Sequence, residues 1–114
     1  MKYRISLYID QARHERVRGT PLEERLKPIF GGEIKVLEVE VDEDLAHAVL
    51  SAFPSARVDA RGYIEDLPAA FRKALFEAVV ATGDPGRTAL EKVLQQIEEI
   101  KKQAEREAEY LPPP

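Results

Sequence analysis

The chain has no cysteine. That excludes a disulfide frame, a thiolate nucleophile and any metal site built on sulfur. It also has no asparagine, two histidines and one methionine, while a third of its residues are charged. Few heat-labile side chains and many ionic ones suggest a thermophilic source. No apolar stretch approaches the ~20 residues that cross a bilayer, so no membrane span is expected. The opening MKYRISLYID alternates apolar and polar residues, which reads as a strand and not as a secretory leader. With cysteine absent as well, a reducing, cytoplasmic setting is the expectation.

Chemical motifs are just as sparse. His14 and His47 have no second histidine at ligand spacing, and no serine has an obvious base beside it. The acidic run Glu38, Glu40, Asp42, Glu43 and Asp44 lacks the D-x-[DN]-x-[DN]-G order of a calcium loop. Gly83-Asp84-Pro85-Gly86-Arg87 lacks the spacing of a phosphate loop and reads as a helix connection. No catalytic residue, metal ligand, cofactor or small-molecule substrate is therefore expected.

A chain of 114 residues makes one domain and can bury enough surface to fold unaided. Its centre is Asp66 to Thr82, the most apolar helix candidate. Leu67, Phe71, Leu75, Ala78, Val79 and Thr82 share one face, and Phe76 and Val80 add a second stripe. A helix so widely apolar is covered on two sides.

Around it, Tyr3, Ile5, Leu7 and Ile9 alternate as a half-buried strand. Residues 10–20 are polar and read as either an exposed loop or a short helix. Thr20 with Pro21 starts a short helix burying Leu22, Leu26 and Ile29, which Pro28 stops. Glu33–Val41 is a second strand with Leu37, Val39 and Val41 on one face. Ile34 and Val36 are out of phase, through either a bulge or burial of both faces. Asp42 caps a helix over Glu43–Phe53, and Ser55–Ala60 forms a third strand. Thr88 and Glu91 make a capping box for a last helix, Ala89 to Tyr110, about 33 Å long at ~1.5 Å per residue.

The fold expected is α+β: a small two-layer domain with a three-stranded sheet on helices, a C-terminal helical hairpin and a projecting last helix. Residues 1–65 supply the β-α-β-α-β part, 66–111 the hairpin and 112–114 a proline tail. The first two strands are parallel or antiparallel according to how residues 10–32 run.

Charge is uneven. Residues 1–35 carry +3, 36–70 carry −6 and 71–114 carry −1, for a net −4. Such separation suggests basic and acidic association surfaces. The function expected is non-enzymatic. It is that of a small interaction or regulatory module that docks on a larger protein assembly or on itself through its last helix. Ile97, Ile100, Ala104, Ala108, Tyr110 and Leu111 are the contact residues of that reading. The alternative is accessory nucleic-acid binding, or an acidic partner, through Arg13, Arg16, Arg18, Arg25 and Lys27.

Overall fold

A computed structural model describes residues 2–109. In chain order the elements are β1 (Tyr3–Ile9), α1 (Gln11–Val17), β2 (Lys27–Ile29), β3 (Ile34–Val41), α2 (Glu43–Ala52), β4 (Arg57–Val58), β5 (Ile64–Glu65), α3 (Ala69–Thr82), α4 (Arg87–Gln95) and α5 (Ile97–Glu109). Short 3₁₀ turns at Pro21–Arg25 and Phe30–Gly32 flank β2.

The domain is α+β, with an antiparallel sheet in the order β1-β3-β2. The register sets Ile5 opposite Val39 and Leu7 opposite Leu37, so the odd-numbered residues of both strands share one face. That face joins a single core with Leu45 and Val49 of α2, Phe71, Leu75 and Val79 of α3, and Leu90 and Val93 of α4. The apolar stretch chosen as the centre becomes α3, where Ala70, Phe71, Leu75, Phe76, Ala78 and Val79 are buried. It begins at Ala69, after Pro68, and ends where Gly83 turns left-handed (φ 70°) and donates its N–H to the Val79 carbonyl at 2.7 Å.

Three expectations are corrected. The third strand of the sheet is Lys27–Ile29, not 55–60. The Thr20 hydroxyl caps Leu22 N–H at 3.2 Å, but the helix it starts is only a 3₁₀ turn ending at Arg25. Pro28 then sits in an edge strand, the part of a sheet that tolerates a missing N–H. Residues 57–58 pair instead with 64–65 as a separate hairpin. This hairpin touches the free edge of β1, where the Arg4 N–H donates to the Gly62 carbonyl at 3.0 Å.

Of the two alternatives open for residues 10–20, the structure takes the helix, over Gln11–Val17. Asp10 caps it by accepting the Arg13 N–H at 2.8 Å, and Val17, fully buried, fastens it to the core. The second correction concerns the caps. Gly86, not Thr88, precedes α4, and the Thr88 N–H goes to the Asp84 carboxylate at 3.0 Å. Asp42 precedes α2, but its carboxylate pairs with Arg87 at 3.0 Å instead of capping.

The third is the last helix, which breaks at Gln96 (φ −106°, ψ 13°). The break turns the first part of α5 onto α3, with Ile100 buried and Ile97 half-buried against the core. Beyond Ile100 most side chains through Glu107 face water, as a projecting helix would have them. No helix among the described residues is long and apolar enough to cross a membrane.

Candidate functional site: the outer face of the sheet

Even-numbered residues of β1 and β3 face away from the core. The register places Arg4 beside Glu40, Ser6 beside Glu38, and Tyr8 beside Val36. On the other flank of β3, Lys27 lies beside Val36 and Ile29 beside Ile34. Pairing runs unbroken from Tyr3–Val41 to Ile9–Lys35, so β3 has no bulge where the hydrophobic phase slips. Ile34 and Val36 are simply on the outer face, and Val36 is buried there between Tyr8 and Lys27.

One end of this face is apolar and the other is polar. At the apolar end, Tyr8 is 52 % exposed and Ile34 38 %, and Phe30, just past Ile29, is 74 % exposed. These three are the large hydrophobic side chains left exposed among the described residues. Phe30 also holds a left-handed backbone (φ 51°), an uncommon place for a bulky residue.

The polar end is organised by Glu38. Its carboxylate accepts from the Tyr63 hydroxyl at 2.6 Å and from Lys27 Nζ at 3.0 Å, with the Arg4 guanidinium 3.9 Å away. Partial burial alone would push this carboxyl up. The Tyr63 and Lys27 hydrogen bonds and the nearby cations outweigh burial and hold it below the ordinary value of 4.5. Guanidiniums of Arg4 and Arg61 lie over the Tyr63 ring, 5.3 and 5.2 Å from its centroid. Tyr63 is placed by the loop before it: one Asp59 carboxylate oxygen accepts the Arg61 N–H at 2.8 Å and the Tyr63 N–H at 3.0 Å. The Tyr63 bond leads the effects that hold the Asp59 carboxyl below its usual value.

A groove of about 550 Å³ runs from this face around the edge of β1. Tyr8, Val36 and Glu38 line one side, and Ile64, Leu67 and Arg72 the other. Chemically, Glu38 is an ionised acceptor already supplied with donors, which suits it to fastening the hairpin to the sheet and not to moving protons at neutral pH. No cluster of three His, Cys, Asp or Glu suited to a metal ion exists among the described residues.

The Glu38 knot gives a pH prediction. Its folded carboxyl titrates below its unfolded value, so its stabilisation is present above about pH 4.5 and is lost as pH falls through the lower folded value. Tyr63→Phe is expected to lower stability at pH 7 by about 1.5 kcal/mol, the scale of a hydrogen bond to a charged group. The gap between variant and parent should close by pH 2 in urea titrations. An equal gap at both pH values would show that Glu38 ionisation plays no part.

The residues expected from sequence fall elsewhere. Arg16 grips the Glu77 carboxylate with two bonds of 2.9 Å, and Arg18 pairs with Glu15 at 2.8 Å. Arg13 donates to the Tyr8 carbonyl at 2.9 Å and lies over the Phe76 ring. Lys27 is held by Glu38, while Arg25 is exposed with no ion pair among the described residues. Among the described residues the basic run is thus mostly paired with the protein's own acceptors. Of the last-helix residues, Ile97 and Ile100 are turned toward the core and Ala104 is half-buried. Ala108 lies in α5, and Tyr110 and Leu111 lie outside the described residues. Sequence reasoning missed Tyr8, Phe30, Tyr63 and Arg72 as site residues. The out-of-phase Ile34 and Val36 were the one signal pointing to this face.

The chain belongs to DUF6955, a family of unknown function, whose sequence model matches residues 3–94. That span contains the whole sheet, the β4–β5 hairpin and α3. No curated protein and no solved structure matches the chain.

Proposed function

We propose that this member of DUF6955 is a non-enzymatic protein-binding module that docks on a larger protein through the outer face of its sheet. The observation that carries this reading is the exposure of Tyr8 and Ile34 at one end of that face, beside a groove, with Phe30 exposed in the turn that follows β2. Single exposed apolar residues are ordinary, but a group of them rimmed by charge is the pattern of a contact surface. Lys27, Glu38 and Arg4 supply such a rim. Phe30 strengthens the case, since an exposed, strained phenylalanine contributes little to the fold and much to a partner's pocket. The contact is therefore assigned to the sheet instead of the last helix, whose Ile97 and Ile100 already pack inward.

The test places a photo-cross-linking residue at position 34 in one variant and at His47, exposed on α2, in another. Irradiation in native-host cells should yield a defined protein adduct from position 34 and none from position 47. Phe30→Ala in the first variant should remove most of that adduct. An adduct of this chain with itself, confirmed by light scattering as a dimer, would make the partner a second copy. No adduct at 34, equal adducts at both positions, or indifference to Phe30→Ala would overturn the reading.

A further inference from the structure

The two edges of the sheet are treated differently. β2 is three residues long and carries Lys27 and Pro28, both of which discourage another strand from adding to it. β1 is seven residues long, with no proline, no lysine and no bulge, yet it is also an edge. The hairpin hydrogen-bonds to β1 at Arg4, through Gly62 and Tyr63, and β5 runs near β1 without pairing with it before the chain leads on to α3.

The directions of the remaining backbone groups follow from two bonds. The Arg4 N–H points to Gly62, and the Tyr8 carbonyl accepts from Arg13, both on the edge away from β3. In an antiparallel pair, alternate residues turn both backbone groups to the same side. The Ser6 N–H and carbonyl and the Tyr8 N–H therefore face that edge too, and no strand among the described residues pairs with them there. They open into the groove of about 550 Å³.

Arg72 lines the same groove. Its Nε is the one fully buried side-chain nitrogen or oxygen without a hydrogen-bond partner among the described residues. Its guanidinium has no ion pair there either, and the exposed Glu65 and Asp66 nearby leave it unpaired. Arg72 also stands in the first turn of α3, which has no side-chain cap and presents the positive end of the helix dipole. A half-buried cation is poorly placed at that end, and an incoming anion answers both charges.

We infer that the bare edge of β1 receives an extended segment of the partner protein, adding as a strand along Ser6–Tyr8, with a carboxylate of that segment on Arg72. This rests on the protein-binding reading and names the chemistry of the partner. Main-chain bonds to Ser6 and Tyr8 supply the track, and side chains on one face of the added strand meet Tyr8 and Val36. A second copy of β1 is a poorer occupant. It carries Arg4 and no carboxylate, and Asp10 beyond it is already the cap of α1.

The experiment uses the full chain, isotope-labelled, and two hexapeptides of alternating threonine and valine. One ends in a free carboxylate, the other in an amide. The free-acid peptide should shift the amide signals of Ser6 and Tyr8 and slow their hydrogen exchange. The amidated peptide should bind at least ten-fold more weakly, and Arg72→Gln should erase the difference between the two. Unmoved Ser6 and Tyr8 signals at millimolar peptide, equal affinity for both peptides, or a preference that survives Arg72→Gln would overturn the inference. So would a parent dimer that the peptide fails to dissociate. If the Phe30-dependent adduct at position 34 persists while the peptides leave β1 unmoved, the edge proposal falls and the protein-binding reading stands. If the peptides bind β1 and no adduct forms, it is the protein-binding reading that fails.

Discussion

Replacing Gly62 with alanine is expected to cost about 3–5 kcal/mol, combining backbone strain with a steric clash. Gly62 holds φ +90°, a region that residues with a Cβ rarely occupy, and a methyl built there would overlap the Lys2 carbonyl oxygen. Backbone is the obstacle, so no side chain can swing aside. Gly62 is also the residue whose carbonyl receives the Arg4 N–H. Moving it pulls the hairpin from β1 and takes Tyr63 away from Glu38. Gly83→Ala is the control. Gly83 is equally left-handed (φ +70°), but nothing lies within 4 Å of an added methyl, so the cost should be about 1 kcal/mol. Urea unfolding of the two variants reads the difference. Equal losses would mean that the approach to Lys2 does not matter, and that the hairpin is not anchored where the structure has it.

The parts of this fold that were legible from sequence are those in which one residue pattern had one physical solution. The alternation of Tyr3 to Ile9 and the broad apolar girth of α3 became a strand and a central helix because no other element could bury those side chains. Residues 27–29 were not legible. Pro28 suits the end of a helix as well as an edge strand, so its presence could not reveal that the helix had already ended at Arg25. The break at Gln96 was hidden for a different reason: Gln-Gln is compatible with helix, and only contact with α3 selects the turn that buries Ile100. The ion pairs of the basic run were out of reach because sequence lists charges without their partners. Glu77 lies 61 residues from Arg16, and only the fold joins them. The same blindness hid the outer face. Tyr63 and Glu38 are 25 residues apart, and the out-of-phase Ile34 and Val36 made sense only after the register fixed which face they join.

Two phenylalanines should then behave in opposite ways when cut to alanine. Phe71 is fully buried in α3 and meets the Phe53 ring edge-on, with centroids 5.3 Å apart at 70°. Phe71→Ala removes most of an aromatic side chain from the core and leaves a cavity beside Phe53. Such truncations cost about 3–5 kcal/mol, which is a large part of the 5–15 kcal/mol that holds a typical domain together. Phe30, at 74 % exposure, has almost no packing to lose. Its truncation should change stability by no more than about 0.5 kcal/mol. Phe30→Gly should be neutral or slightly stabilising, because glycine accepts φ 51° without strain. Thermal and urea unfolding of the three variants separate these outcomes. A Phe30→Ala variant as unstable as Phe71→Ala would place that ring in the core and remove the reason to assign it to a partner. A stable Phe30→Ala chain that no longer forms the position-34 adduct would show a side chain spent on binding and not on folding. That combination ties the exposed end of the sheet to function, because loss of fold cannot then explain loss of contact.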